Sequence, residues 1–212
     1  MYPDRNVILD SIRERICLIP PGDVIVLKEK QLADEFGLSR TPIRQILQTL
    51  ASEGMIEVRP GYGSITTQLN PAERSLHWEV FKQLSLASMA VLGNSPLTEA
   101  ARMELSAING FSASLETPSP QLYLRMHARL VFAMTCSVKD PILRLALQSA
   151  QWRTVRWRTD DMMHDLQSNW DMFRVNIGKT VDMAVDCSAA ELLQMAVGAA
   201  DRYREPNTIQ PI

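Results

Sequence analysis

One short stretch of this 212-residue sequence gathers side chains suited to hydrogen bonding with another polar molecule. Residues 39–48 read SRTPIRQILQ, and apolar residues recur there at the spacing of one helix face. The opposite face carries two arginines and no acid, and consists of Arg40, Thr41, Arg44, Gln45 and Gln48. Guanidinium and amide groups can read the edges of guanine and adenine in the major groove of DNA. This stretch is therefore a candidate DNA-reading helix, although an ordinary solvated helix face has a similar composition.

The residues around this stretch predict a helix-turn-helix. Residues 28–36 have the pattern of a helix that Gly37 ends. Ser39 follows as the expected N-cap of the next helix, whose first turn accommodates Pro42 because that backbone position needs no N–H. Gly54 is expected to end this second helix.

A hairpin and an earlier helix complete the predicted N-terminal unit. Residues 55–67 read as strand, glycine-rich turn and strand, which is the pattern of a wing beside a DNA-reading helix. Asn6 is expected to cap a first helix that ends before Pro20, and residues 24–27 form a short β-branched run. Arg59 and the small residues of the turn are then placed to approach the DNA backbone.

The stretch EKQLADEFGLSRTPIRQILQTLASEGMIEVRPGYGSIT resembles the N-terminal domain of the GntR family of bacterial regulators. That family has a helix of the type LA-x-x-x-G, then an S-R-T-P-[VI]-R helix and a glycine wing. The resemblance spans residues 6–67 and implies a winged helix-turn-helix that binds double-stranded DNA. One departure is Gln45, where many family members carry Glu. The DNA contacts implied by position and resemblance are Lys30, Ser39, Arg40, Thr41, Arg44, Gln45, Gln48, Arg59, Gly61 and Gly63.

The composition changes near residue 70, after which long helical patterns replace short segments. We therefore expect a DNA-binding domain over residues 1–70 and an all-helical effector-binding and dimerisation domain over residues 71–212. The fold class is mainly α, with a winged helix-turn-helix followed by an antiparallel helical bundle. Six helices are expected in the second part: 71–92, 96–115, 119–137, one from 141, one over 160–185, and one capped by Ser188 with Glu191.

The order of helices resembles the GntR subgroup typified by the fatty-acid-responsive regulator, whose helical bundle often binds a metal through one Asp and three His. In this chain His127 is present, but Tyr123 stands where the Asp belongs. The other two histidines would fall near residues 175–176 and 196–197, where the chain has Val-Asn and Ala-Val. We therefore expect no metal and no other cofactor.

A small organic effector remains the expected ligand of the helical domain. Tyr123 and His127 lie one turn apart on one helix face, and bidentate guanidinium groups would suit a carboxylate. The candidate arginines are Arg102, Arg125, Arg144, Arg153 and Arg156, with Arg102 and Arg144 assigned to the effector site beside Tyr123 and His127. The alternative is that the arginines near the tryptophans form a solvated face or an interface.

The net charge, the cysteines and the hydrophobic stretches restrict the classes of protein to which this sequence can belong. The formal net charge is −2, so a basic surface must be local if DNA is bound. The three cysteines have no CxxC spacing. Residues 1–15 lack the apolar core of a signal peptide, and no apolar stretch is long enough to span a bilayer. We therefore expect a cytoplasmic protein with no membrane partner. No nucleophile is paired with a base, which argues against an enzyme.

The predicted function is that of a transcription repressor that binds an inverted-repeat operator as a homodimer, since one winged helix reads few base pairs. A small organic effector modulates DNA binding in this interpretation. The alternative is a regulator controlled by a partner protein, or one that is constitutive.

We predict that the purified, untagged protein contains negligible transition metal, because one histidine cannot form a site that needs three or four ligands. His127→Ala protein should have the same melting temperature with and without chelator. Elemental analysis checks the metal content. Stoichiometric zinc, nickel or manganese that disappears in the His127→Ala protein would contradict the prediction.

Overall fold

The structure is a computed structural model that describes residues 4–114, 117–184 and 187–200. Its first part contains three helices and a three-stranded sheet in the order expected of a winged helix-turn-helix. The helices are α1 (Arg5–Cys17), α2 (Glu29–Phe36) and α3 (Arg40–Ser52), and the strands are β1 (Val26–Leu27), β2 (Ile56–Arg59) and β3 (Gly63–Thr66).

The ends of the first helices follow from a few local contacts. Gly37 ends α2 in the left-handed conformation, with φ of 65°, as its position predicts. The expected cap of α1 is wrong: the Asp4 carboxylate accepts the bond from the backbone N–H of Asn6, so Asn6 lies inside the helix. Ser39 occupies the N-cap position of α3 in extended conformation, but its hydroxyl makes no capping hydrogen bond.

The wing is an antiparallel sheet with strand order β1-β3-β2. Its tight turn is closed by the backbone N–H of Tyr62, which donates to the carbonyl oxygen of Arg59 at 3.1 Å. Pro60 and Gly61 occupy the two central positions, and the φ of 76° at Gly61 matches a type II turn. Gly63 has a φ of 115°, and a Cβ there would lie 3.2 Å from the carbonyl oxygen of Leu27.

The second part begins with a 3₁₀ turn over Pro71–Glu73 and continues with six helices among the residues that the structure describes. Helix α4 packs against α7 and α9, α5 against α6 and α8, and α6 against α7. The Ser188–Glu191 capping box is present, with the Glu191 carboxylate accepting from the Ser188 backbone N–H at 2.7 Å. The helices are α4 (Arg74–Leu92), α5 (Glu99–Ser114), α6 (Pro120–Thr135), α7 (Pro141–His164), α8 (Leu166–Ala184) and α9 (Ala189–Ala200).

Two of the expected helix boundaries are wrong. Helix α5 begins at Glu99 rather than at residue 96, because Pro96 instead forms an isolated β-bridge with Ser188. The helix expected over 160–185 begins later, at Leu166, because α7 runs on to His164 and the helical conformation is interrupted at Asp165. The expected ends at Leu115 and Val185 lie outside the described residues.

Two clusters of buried apolar side chains hold the described chain together. One lies among helices α4 to α9. The other is centred on α1, α2 and α3, yet it also contains Leu124 and Val131 of α6 and Trp152 and Val155 of α7. The N-terminal unit therefore shares its apolar core with the helical part instead of closing it alone.

Polar contacts reinforce this junction around Glu53, which follows α3 and is 2% exposed. Both Glu53 carboxylate oxygens accept from the Arg13 guanidinium, with Nε to Oε2 at 3.0 Å. The Ser149 hydroxyl of α7 donates to the Glu53 carbonyl oxygen at 2.8 Å, and Gln148 Nε2 donates to Glu53 Oε1 at 3.3 Å. Arg156 of α7 adds a hydrogen bond to the Thr67 hydroxyl at 3.0 Å. The end of α3 is thus fixed to α7.

Among the residues that the structure describes, none of the helices combines the length and the hydrophobicity of a membrane-spanning segment.

We predict that Gly63→Ala lowers the free energy of unfolding by about 1–3 kcal/mol, because an L side chain is strained at this φ and meets the Leu27 carbonyl. Gly110→Ala is the matched control. A Cβ at Gly110, inside α5, meets no atom within 4 Å, so alanine should stabilise the helix by about 0.5–1 kcal/mol. Urea unfolding measures both, and equal effects of the same sign would contradict the assignment of strain to Gly63.

Candidate nucleic-acid interface and effector cavity

Helix α3 presents the polar face expected from its sequence. Ile43, Ile46, Leu47 and Leu50 are buried against the N-terminal core. The opposite side chains are all exposed, namely Arg40, Thr41, Arg44, Gln45 and Gln48. The apolar stripe of the helix therefore packs on the core, and its hydrogen-bonding groups are directed to solvent. Insertion into a major groove requires this orientation.

The start of α3 and the wing enclose a common hollow of about 850 Å³. Arg40 lines it from the helix, and Arg59, Gly61 and Gly63 line it from the wing. The remaining two expected DNA contacts, Lys30 and Ser39, are exposed but do not line it. Other lining residues were not among the expected contacts, including Lys28, the acidic Glu29, and Tyr62 at the wing tip, which is 66% exposed. Tyr62 could have been proposed from its place between the two wing glycines.

Arg44 has an acidic partner that was not predicted from the sequence. Glu29, at the start of α2, accepts from Arg44 Nε at 3.0 Å and from Nη2 at 2.9 Å. These hydrogen bonds lower the pKa of Glu29, so the carboxylate stays ionised. Because Glu29 lies on α2 and Arg44 on α3, the spacing of residues along α3 could not reveal the pair. Glu29 holds the Arg44 guanidinium in one direction when no DNA is bound.

The helical part contains a cavity of about 300 Å³, which we call the bundle cavity. Its walls come from α4, α6, α7, α8 and α9, and Tyr123 and His127 both line it, as their shared helix face predicts. Their ring centroids lie 4.3 Å apart, and Phe173 of α8 lies 5.0 Å from the His127 ring. The polar lining includes Gln151, Thr154, Arg158, Asn176, Lys179 and Thr180.

The surroundings of His127 do not fit the metal site of the family subgroup. The imidazole is 2% exposed, and burial, together with the charge of Arg158, lowers its pKa well below the usual value. Its neighbours are aromatic rings, and the cavity offers Asn176 and Ala196 where the resemblance would require histidines. Within residues 4–114, 117–184 and 187–200, no three His, Cys, Asp or Glu side chains are grouped to hold a metal ion.

The structure places the other candidate effector residues elsewhere. Arg102 lines a separate hollow beside Cys187 and Glu191, and Arg144 is exposed near the start of α7. Neither lines the bundle cavity, so their assignment to the same site as Tyr123 and His127 is not supported. Arg156 contacts the N-terminal unit through Thr67.

Each of the other two histidines bonds to a neighbouring group of the protein. His77 accepts a hydrogen bond on Nδ1 from the Trp157 indole at 3.1 Å, and burial lowers its pKa. His164 is exposed at the end of α7, where its bond to the Asp160 carbonyl raises its pKa.

The geometry defines a class of protein: a winged helix-turn-helix joined to a helical part with an internal cavity. Residues 5–65 match the family of bacterial regulatory proteins named gntR. This match covers the N-terminal unit and not the helical part.

Curated relatives match this chain over stretches of similar length. The chain is 39% identical over 57 residues to the HTH-type transcriptional repressor RspR of Escherichia coli, which is 27% of this chain and 24% of that protein. It is 35% identical over 69 residues to an uncharacterised HTH-type transcriptional regulator of Streptomyces ambofaciens, covering 32% of this chain and 29% of the relative. The matches thus span less than a third of these relatives.

Solved structures extend the likeness of fold beyond the N-terminal unit. McbR/YncC of E. coli superposes with a TM-score of 0.61 and 17% identity, covering 97% of this chain and all of the other. A GntR regulator from Rhodococcus sp. RHA1 superposes with a TM-score of 0.60 and 14% identity, covering 94% of each chain. The architecture of winged helix plus helical domain is therefore shared with known GntR-family regulators.

We predict that Arg44→Ala weakens binding to a specific operator by about 1–3 kcal/mol, because a bidentate contact to a base is lost. Arg144→Ala, which removes an exposed arginine from α7, is the matched control and should leave operator affinity unchanged. Glu29→Gln should raise affinity for non-specific DNA and steepen its salt dependence, because a negative charge beside Arg44 is removed. Fluorescence anisotropy titrations measure all three, and unchanged operator affinity of the Arg44→Ala protein would contradict the assignment.

Proposed function

We propose that this protein is a transcription repressor that binds an inverted-repeat operator as a homodimer, with DNA binding modulated by a small organic effector in the bundle cavity. The observation that carries the proposal is the exposed face of α3, which bears Arg40 and Arg44 and on which Arg40 lines a common hollow with the glycine wing. This face lies on a gntR-family domain. We infer repression because the relative RspR is named a transcriptional repressor.

The direct readers of base edges in this proposal are the arginines and glutamines of α3. Two arginines four residues apart lie on one helix face, so both can enter the same stretch of major groove. The wing glycines let the backbone approach a phosphate or the minor groove, and Arg59 supplies positive charge there. Specificity then comes from α3, and much of the affinity comes from phosphate contacts.

A homodimer is needed for tight and specific binding. A single winged helix reads too few base pairs to discriminate an operator from the rest of a genome. Two-fold symmetry doubles the site and sets the half-sites about one helical turn apart. We assign the dimer contact to the helical part, which leaves both α3 helices free for DNA.

The bundle cavity supports control by a small molecule because it adjoins the N-terminal core. Val131 of α6 and Val155 of α7 line the cavity, and both also belong to the apolar cluster of α1, α2 and α3. An occupant that moves either side chain changes the surface on which the DNA-binding unit rests, since close-packed interiors transmit small displacements. Control by a partner protein, or the absence of control, would leave this open cavity without a role.

The proposal is tested by selecting duplexes from a random DNA library with purified protein and then measuring the mass of the complex. We expect an inverted repeat bound by two chains. Inserting about five base pairs between the half-sites should weaken binding more than tenfold, since half a helical turn sets them on opposite faces of the duplex. A monomer in light scattering, both free and with the selected DNA, would refute the homodimer.

A further inference from the structure

We propose that Arg156 is a positioning residue for DNA binding, which fixes the base of the wing from helix α7 and lowers the stability of the fold in doing so. Arg156 is not among the DNA contacts expected from the sequence. It lies where the helical part meets the N-terminal unit. The inference rests on the proposed function in one respect, since it takes the wing to contact DNA.

Arg156 contacts the base of the wing through a hydroxyl group. Its Nη1 donates to the Thr67 hydroxyl at 3.0 Å, and Thr67 directly follows β3. The hydroxyl oxygen also lies 2.9 Å from the carbonyl oxygen of Gly54 and 3.2 Å from that of Met55, in the segment between α3 and β2. A guanidinium can only donate, so the single hydroxyl proton is directed to these carbonyls. Arg156 thereby orients the bond that joins the end of β3 to the end of α3.

The paired strands carry the position of the base to the tip of the wing. Strands β2 and β3 pair from Ile56 opposite Thr66 to Arg59 opposite Gly63. At about 3.4 Å per residue, this ladder places Arg59 roughly 10 Å from the base. A small rotation at Thr67 therefore displaces the basic side chain that the wing offers to DNA.

Helix α7 holds both DNA-contacting elements from one of its faces. The Ser149 hydroxyl donates to the carbonyl oxygen of Glu53, which directly follows α3, and Arg156 donates to Thr67 after the wing. Ser149 and Arg156 are seven residues apart, which is about two helical turns, so they lie on the same side of the helix. The rigid helix thus sets the spacing between the end of α3 and the base of the wing.

The rest of the Arg156 guanidinium is poorly satisfied. The residue is 2% exposed, and its Nε and Nη2 have no hydrogen-bond partner among the residues that the structure describes. No carboxylate in that part of the chain pairs with it. The ionisable group that acts on its charge is the Cys17 thiol, whose pKa burial raises to about 12, so this thiol is neutral.

Stability therefore does not account for an arginine at this position. A buried cation without an anion destabilises a fold, and an apolar side chain of similar length is usually neutral or stabilising in its place. Local rules of this kind are broken mainly at functional sites. The contact that Arg156 does complete, with Thr67, is the one that reaches the wing.

The test measures DNA affinity and melting temperature on the same full-length variants. Arg156→Met should weaken DNA binding about threefold to tenfold, as expected for one lost hydrogen bond, while the melting temperature stays equal or rises. Arg156→Lys, which can still donate to Thr67, should recover part of the affinity. Arg144→Met is the same substitution at an exposed position of α7, and this matched control should leave DNA affinity unchanged.

A double-mutant cycle shows whether Arg156 acts through the wing. Arg59→Ala should weaken binding by a smaller factor in the Arg156→Met protein than in the parent, because the wing is already displaced. Arg156→Met alone should also make affinity less dependent on salt, since a phosphate contact of the wing is weakened. Arg44→Ala, on α3, should weaken binding by the same factor in both backgrounds.

Three results would overturn the proposal. The first is DNA affinity of the Arg156→Met protein equal to that of the parent. The second is losses from Arg156→Met and Arg59→Ala that multiply in the double variant. The third is a lower melting temperature with equal losses of affinity in Arg156→Met and Arg156→Lys. If Arg156→Met does not fold, Thr67→Val, which removes the acceptor hydroxyl, replaces it in the cycle.

The cycle is measured on a random-sequence duplex as well as on the selected operator, because phosphate contacts do not depend on sequence. Failure to select an inverted repeat would contradict the proposed repressor, and the cycle on the random duplex would still decide the role of Arg156. An operator bound by two chains, with no effect of Arg156→Met or Thr67→Val, would support the proposed function and overturn this inference.

Discussion

The buried carboxylate of Glu53 is the constraint on which the arrangement of the two parts depends. A charge that is 2% exposed is destabilising unless it is paired and fully hydrogen-bonded. Burial raises the pKa of Glu53, and the hydrogen bonds from Arg13 oppose that shift. Removing one member of a buried pair costs about 3–5 kcal/mol, so α1 and α3 are held in a fixed relation. Because Gln148 and Ser149 bond to the same residue, α7 is included in that relation.

The consequence is that the end of α3 and the bundle cavity both adjoin the single helix α7. Glu53 directly follows α3, and its carbonyl oxygen is bonded to α7, whose other side chains line the cavity. Trp152 inserts from α7 into the N-terminal core, and the Arg13 guanidinium lies 4.8 Å from its ring centroid. The same arginine therefore satisfies the buried carboxylate and packs on the helix that borders the bundle cavity. Helix α7 therefore contacts the residue that follows α3 directly, through Gln148 and Ser149.

The sequence was sufficient for features that depend on local chemistry and insufficient for those that depend on neighbours in space. The polar face of α3 and the turn at Pro60 and Gly61 follow from periodicity and backbone preference, and both are present. The break at Asp165 was missed because no proline or glycine marks it. The Glu29 partner of Arg44 and the location of Arg102 depend on how helices pack, which one-dimensional spacing does not contain.

Helix α7 shows why the cavity arginine could not be chosen from sequence. Its side chains form two stripes at helical spacing, and both are largely buried: one on the N-terminal unit (Ser149, Trp152 and Arg156) and one on the cavity (Gln151, Thr154 and Arg158). A helix with two covered sides has no single apolar stripe, so its sequence does not show which arginine faces which side. Arg156 and Arg158 are two residues apart, which turns them about 200° from each other around the axis. Arg156 consequently bonds to Thr67, whereas Arg158 lines the cavity. Which arginine faces the cavity is decided by how α7 packs between the two apolar clusters.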